Sequence, residues 1–130
     1  MKKYEKLIKE VIEKNPKVVG VYRLIEGLEF KDSNMEIVLS TLKEKGIDIV
    51  IYEPNIKKNS YYGYEIVHDF KLFKAISNVI FVNQEDHKLD DIKTYTKYKK
   101  EDWKKIFLYY NNKYGWGKIW RIIKHKKINY

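Results

Sequence analysis

The sequence predicts an α/β fold in three layers, a parallel sheet with helices on both faces, followed by a C-terminal basic helical tail. Three observations predict it. Short β-rich runs alternate with amphipathic helical runs, the strand signal recurs three times at βα spacing, and positive charge concentrates beyond residue 98. An order of helix, strand, helix, strand, helix, strand is the rhythm of a parallel sheet covered on both sides. With 130 residues the chain is long enough to bury a core of its own.

Tyr4, Leu7, Ile8, Val11 and Ile12 recur at helical spacing, and Asn15-Pro16 ends the pattern. Lys17 to Leu24, KVVGVYRL, is too short for a helix and apolar enough for an interior strand. After a loop, Ser33 and Glu36 stand three apart as in a capping box, where each side chain satisfies a backbone N–H. Met35, Val38, Leu39 and Leu42 make one apolar face of the helix that follows, and Gly46 stands where a C-cap glycine belongs. Ile47 to Pro54, IDIVIYEP, is the second strand. A polar, tyrosine-bearing loop is expected over Asn55 to Gly63, then a short helix drawn from Ile66, Val67, Phe70, Phe73 and Ile76. The third strand is Asn78 to Asn83, NVIFVN, and Lys93 to Tyr98, KTYTKY, reads as a short edge strand. Beyond it Trp103, Ile106, Phe107 and Tyr110 fit a helical stripe, Tyr114 to Gly117 break the chain, and Ile119, Trp120 and Ile123 form a second stripe.

The formal net charge is +9, and its distribution matters more than its size. From Lys99 to Tyr130 there are ten basic side chains against two acids, Glu101 and Asp102, whereas the first 98 residues are nearly neutral. This divides the chain into an α/β domain over 1–98 and a basic aromatic tail over 99–130. Such asymmetry points to an anionic partner for the tail. Trp103, Trp116 and Trp120 among lysines suit an anionic membrane surface; packing on the sheet or on a second subunit is the plainer reading. Nucleic acid ranks last, since no recognisable nucleic-acid motif is present. No cysteine occurs, which removes disulfides, thiolate zinc sites and a cysteine nucleophile. The N-terminus has no apolar h-region, so a cytoplasmic protein is expected, peripheral to a membrane if the tail binds one.

A strand that stops on Glu53 raises the question of a ribose-binding carboxylate. A dinucleotide site also needs a glycine-rich turn after the first strand, and the chain there reads YRLIEGLEFKDS with one glycine. Glu53 is therefore expected to be a solvated strand-end carboxylate. His68, His87 and His125 have no metal-ligand spacing. Asp86, Asp90 and Asp91 read as a solvated turn. No serine sits in a nucleophile elbow. No catalytic residue and no metal ligand is assigned.

Taken in order, NPKVVGVYRL, FKDSNMEIVLSTLKEKGIDIVIYEP, HDFKLFKAISNVIFVN and KTYTKY resemble the C-terminal, UDP-binding domain of the UDP-glucose/GDP-mannose dehydrogenase family. The likeness runs over about residues 10 to 98 and rests chiefly on VVGVYRL and IYEP. It implies a Rossmann-like fold contributing to a UDP-sugar site, with NAD and the catalytic cysteine supplied from outside this domain. Carried over residue by residue, the resemblance assigns the UDP-sugar to Tyr22, Arg23, Phe30, Lys31, Asn83 and Lys97. Arg23 reads equally as a salt-bridge partner of Glu26, Glu53 or a helix end, and Lys31 as a solvated lysine.

This sequence departs from the family's pattern at several of these places. The loop after YRL is shorter and carries Glu26 and Glu29 where the family has a lysine. Gln84 replaces an arginine, which removes both the charge and the bidentate fork that suits phosphate. The family's YTRD is here Tyr95-Thr96-Lys97-Tyr98. The resemblance implies a nucleotide-sugar binding or accessory module of surface polysaccharide biosynthesis, holding no cofactor itself. The alternative is one half of a split NAD-dependent UDP-glucose 6-dehydrogenase that needs a partner chain to supply the NAD site and the nucleophile; a homodimer is the other partner expectation.

Overall fold

The computed structural model describes residues 2–22, 35–54, 57–82, 86–92, 94–100 and 103–111. Helix α1 spans Lys2–Glu13, strand β1 Val18–Tyr22, α2 Met35–Glu44 and β2 Asp48–Tyr52. Strands β3 (Ser60–Tyr61) and β4 (Tyr64–Ile66) are followed by α3 (Phe70–Ile76) and β5 (Val79–Val82). A 3-10 turn, His87–Leu89, leads to β6 (Thr94–Lys100) and β7 (Trp103–Tyr110).

The strands form a single seven-stranded sheet in the order β3-β4-β2-β1-β5-β7-β6. Its centre, β4-β2-β1-β5, is parallel, while β3 pairs antiparallel with β4, β7 with β5, and β6 with β7. The expected three-layer, Rossmann-like α/β class is what the chain adopts. Alternation along the strands sorts the core into two layers. Val19, Val21, Ile49, Ile51, Val79, Phe81, Leu108 and Tyr110 pack with Leu7 and Val11 of α1 and Val38, Leu39 and Leu42 of α2. On the other face Val18, Tyr22, Val50, Ile80, Val82 and Tyr109 pack with Phe73 and Ile76 of α3.

Local chemistry accounts for the boundaries. α1 stops where Asn15 takes φ +51°, a left-handed conformation that asparagine tolerates, with Pro16 behind it. α2 ends in a Schellman arrangement: Gly46 at φ +85° donates to the Lys43 carbonyl and Ile47 donates to the Leu42 carbonyl. Its expected start at Ser33 lies outside the described residues. Asp69 caps α3, accepting from the Leu72 amide at 3.2 Å. Asn78, entering β5, accepts the amides of Lys17 and Val18 at 2.9 and 3.0 Å and so ties the starts of β1 and β5 together.

Three expectations are corrected. Trp103 to Tyr110 is a strand, not a helical stripe; it inserts between β5 and β6 and pairs with both. The same apolar residues that fit a helix repeat also satisfy a strand once both its edges find partners. A boundary at residue 98 would therefore cut through the sheet, while the second stripe, Ile119 to Ile123, lies outside the described residues. The tyrosine-bearing loop contains the β3–β4 hairpin, whose turn residues Tyr62 and Gly63 have φ +52° and +80°, as a type I′ turn requires. Ile66 belongs to β4 rather than to a helix, because its amide donates to the Asn59 carbonyl, and the helix begins at Phe70.

No helix among the described residues is long and apolar enough to cross a membrane.

Candidate functional site

Open α/β sheets bind ligands at the carboxyl ends of their parallel strands. Here those ends form one rung. Tyr52 pairs with Tyr22, Tyr22 with Val82, Val82 with Phe107, and Phe107 with Lys97. Two of the residues assigned to the ligand by resemblance, Tyr22 and Lys97, therefore stand at the same height on the sheet. Three inter-strand steps put their backbones about 14 Å apart. Arg23, Phe30, Lys31 and Asn83 lie outside the described residues, as do Glu26, Glu29 and Gln84.

Tyr22 is 1% exposed. Its ring lies 5.7 Å from Tyr52, 5.3 Å from Phe70 and 6.3 Å from Phe73, centroid to centroid. Its hydroxyl donates to Asp86 Oδ2 at 2.8 Å. Asp86 in turn caps the 3-10 turn, accepting from the Lys88 amide through Oδ1 at 2.9 Å. Tyr22 is thus placed to hold the connection that follows β5 against the end of β1. Asp86 was not singled out for this by the sequence, since its partner is 64 residues away. Replacing Asp86 with alanine removes both bonds and should cost about 2 kcal/mol, read as a lowered urea midpoint. Combining it with Tyr22→Phe should cost less than the two changes summed, because they break one shared contact.

The other two acids of that turn are also engaged. Lys74 pairs with Asp91 at 2.9 Å and donates to the Lys88 carbonyl at 3.1 Å. His87 Nδ1 stands 3.2 Å from Asp90, exposed to solvent. Lys74 and Lys88 each place an ammonium 5.7 Å from the centroid of the Phe70 ring. The half-buried rings of Tyr52 and Phe70 meet edge to face at 5.1 Å, which leaves aromatic surface accessible at this edge.

Glu53 corrects the expectation of a solvated carboxylate: it is only 2% exposed. Glu53 is buried although Pro54 beside it is exposed, and just before it the Val67 amide bonds the Ile51 carbonyl at 2.8 Å. A buried carboxylate at the carboxyl edge is a feature that the local sequence did not announce.

The opposite, amino edge carries a cleft lined by Lys43, Asp48, Ser60, Gly63, Tyr64 and Glu65. There burial, followed by the charge of Glu36, holds the Tyr64 phenol above its ordinary value.

No protein-family model matches the chain. The UDP-glucose 6-dehydrogenase of Streptococcus pneumoniae is 37% identical over 92 residues, covering 67% of this chain and 23% of that protein. This chain is homologous to part of the UDP-glucose dehydrogenases. The UDP-glucose 6-dehydrogenase of Campylobacter jejuni subsp. jejuni serotype O:2 agrees, at 33% over 88 residues, covering 64% of this chain and 22% of that protein. The chain spans less than a quarter of the length of either dehydrogenase. Kinship with the family, expected from VVGVYRL and IYEP, therefore stands on aligned sequence as well as on the parallel sheet core that those two strands build.

Proposed function

We propose that the chain is a binding or accessory module for a nucleotide sugar of the UDP class, with no catalytic machinery of its own. The observation that carries this reading is the similarity to two UDP-glucose 6-dehydrogenases over two-thirds of the chain. The carboxyl edge supports it chemically. Tyr52 and Phe70 offer ring surface against which a planar base could stack, and Lys88 brings positive charge beside the Phe70 ring. By the same kinship the setting would be the supply of sugars for surface polysaccharide.

Calorimetric titration with UDP and with UDP-glucose tests the reading. Saturable heat is expected with both, and Arg23→Ala should weaken binding about 10-fold by deleting a charge-assisted hydrogen bond. Silence at millimolar ligand would reduce the chain to a structural or protein-binding role.

A further inference from the structure

Helix α1 carries an apolar strip that the core does not use up. Leu7 and Val11 of this helix are fully buried against the sheet. Ile12 is 36% exposed and Ile8 only half-buried. The two stand four residues apart and so share one face of the helix. With Thr41 of α2 they line a groove between the two helices, bordered by Glu5, Lys9 and Glu13.

The chain beyond β7 sets out from beside this helix. Tyr110, the last residue of β7, pairs with Val79 at the start of β5 and donates its hydroxyl to Glu10 of α1. Lys14 of the following turn places its ammonium 5.1 Å from the centroid of the same ring. The Asn111 amide is then held by the Asn78 carbonyl at 2.8 Å. Residues 112–130, which lie outside the described residues, therefore begin about one helical turn from Ile12 and Glu13. They hold Trp116, Ile119, Trp120 and Ile123 among six basic side chains and no acid.

We propose that residues 112–130 of this same chain fill the groove between α1 and α2, setting Ile119, Trp120 and Ile123 on Ile8 and Ile12. Reach permits it. The groove runs along α1 from Glu13 to Glu5, about 12 Å, and the eight residues from Asn111 to Ile119 span up to about 26 Å. Charge favours it. The border of the groove holds two carboxylates against the one ammonium of Lys9, and every charge on the incoming segment is positive. Tethering selects this occupant over the others. A segment fixed at Asn111 meets the groove at millimolar effective concentration, which a second copy or a lipid surface does not match. The apolar residues of the tail are then spent on the chain's own helical layer, and its lysines and arginine are left at the surface.

The chain has no cysteine, so one introduced thiol carries a nitroxide label without a competing site. In the full chain labelled at Lys124→Cys, the amide signals of Ile8, Ile12 and Thr41 should be lost to broadening, while those of Ser60 and Glu65 in the β3–β4 hairpin stay sharp. Mixing labelled chain with unlabelled, ¹⁵N-enriched chain should leave all of these signals intact. Ile12→Lys, at an exposed position outside the core, should restore the lost signals in the labelled chain. Without the label, the same substitution should speed tryptic cleavage after Lys118 and Arg121 about 10-fold by exposing the segment. Far-UV circular dichroism checks that each variant is folded. Sharp signals at Ile8, Ile12 and Thr41 in the labelled chain overturn the proposal. Equal broadening in the mixed sample assigns the groove to a second copy and overturns it too. So does protection of Lys118 and Arg121 that appears only with phosphatidylserine vesicles, which assigns the segment to a lipid surface.

Discussion

A chain ending at Tyr98 should lose its cooperative thermal transition. The reason lies in the strand order: among the described strands, β6 pairs with β7 alone. Removing residues 99–130 takes away β7, strands β6 without a partner and opens the flank of β5, all four of whose residues are buried. It also deletes the buried side chains of Leu108, Tyr109 and Tyr110, each contributing roughly 1.5–3 kcal/mol by burial alone. The Asn111 amide, which holds the Asn78 carbonyl at 2.8 Å, goes as well, together with its side-chain bond to the Lys74 carbonyl at 2.7 Å. Tyr110 also donates its hydroxyl to Glu10 of α1. Against a total stability of roughly 5–15 kcal/mol for a domain, that loss is decisive. Differential scanning calorimetry of the shortened chain should show no unfolding peak. A sharp transition near that of the full chain would mean that β7 is dispensable.

Gly20→Ala should be the most damaging single substitution of a small residue. Gly20 lies in the middle of β1, between β2 and β5, with its α-hydrogen facing α3. A Cβ there would stand 2.4 Å from Ser77 Oγ, 2.7 Å from Phe73 Cζ and 2.8 Å from Phe73 Cε1. Neither neighbour can give way easily. The Ser77 hydroxyl is bonded to the Phe73 carbonyl at 2.7 Å, and the Phe73 ring is fully buried among Tyr22, Tyr52 and Phe70. Overpacking of this kind costs about 3 kcal/mol, or roughly 10 °C in Tm. Gly46→Ala provides the contrast, because a Cβ there meets nothing within 4 Å and the penalty comes only from φ +85°. About 1 kcal/mol is expected for it. Equal losses at the two positions would show that the α3–β1 contact is looser than described.

Both effects follow from how the sheet is assembled, and they bear on what could be read from the sequence. β1, β2 and β5 were legible because each is a compact apolar run between turn signals, and α2 because Glu36 and Gly46 mark its ends. The β3–β4 hairpin was not, since Tyr62 occupies a positive-φ turn position where asparagine or aspartate is the usual signal. β7 was misread because WKKIFLYY satisfies helical and strand periodicity together; its two neighbouring strands decide the matter, and neither is local in sequence. Of the site, Tyr22 and Lys97 were placed by resemblance, and the structure puts them on one rung. Asp86 and Glu53 were read as solvated carboxylates because neither environment is local in sequence: Tyr22 of β1, 64 residues away, bonds the first, and the second is buried at the end of β2.

Under the proposed function, a nucleotide rests at the carboxyl edge of the parallel strands. The most direct measurement is a set of amide ¹H–¹⁵N spectra of the full chain recorded during addition of UDP. Saturable shifts are expected for Tyr22, Tyr52, Asp86, Lys88 and Lys97, with Lys43, Asp48 and Glu65 at the opposite edge unmoved. Shifts confined to that opposite edge, or a spectrum indifferent to UDP at millimolar concentration, would contradict it.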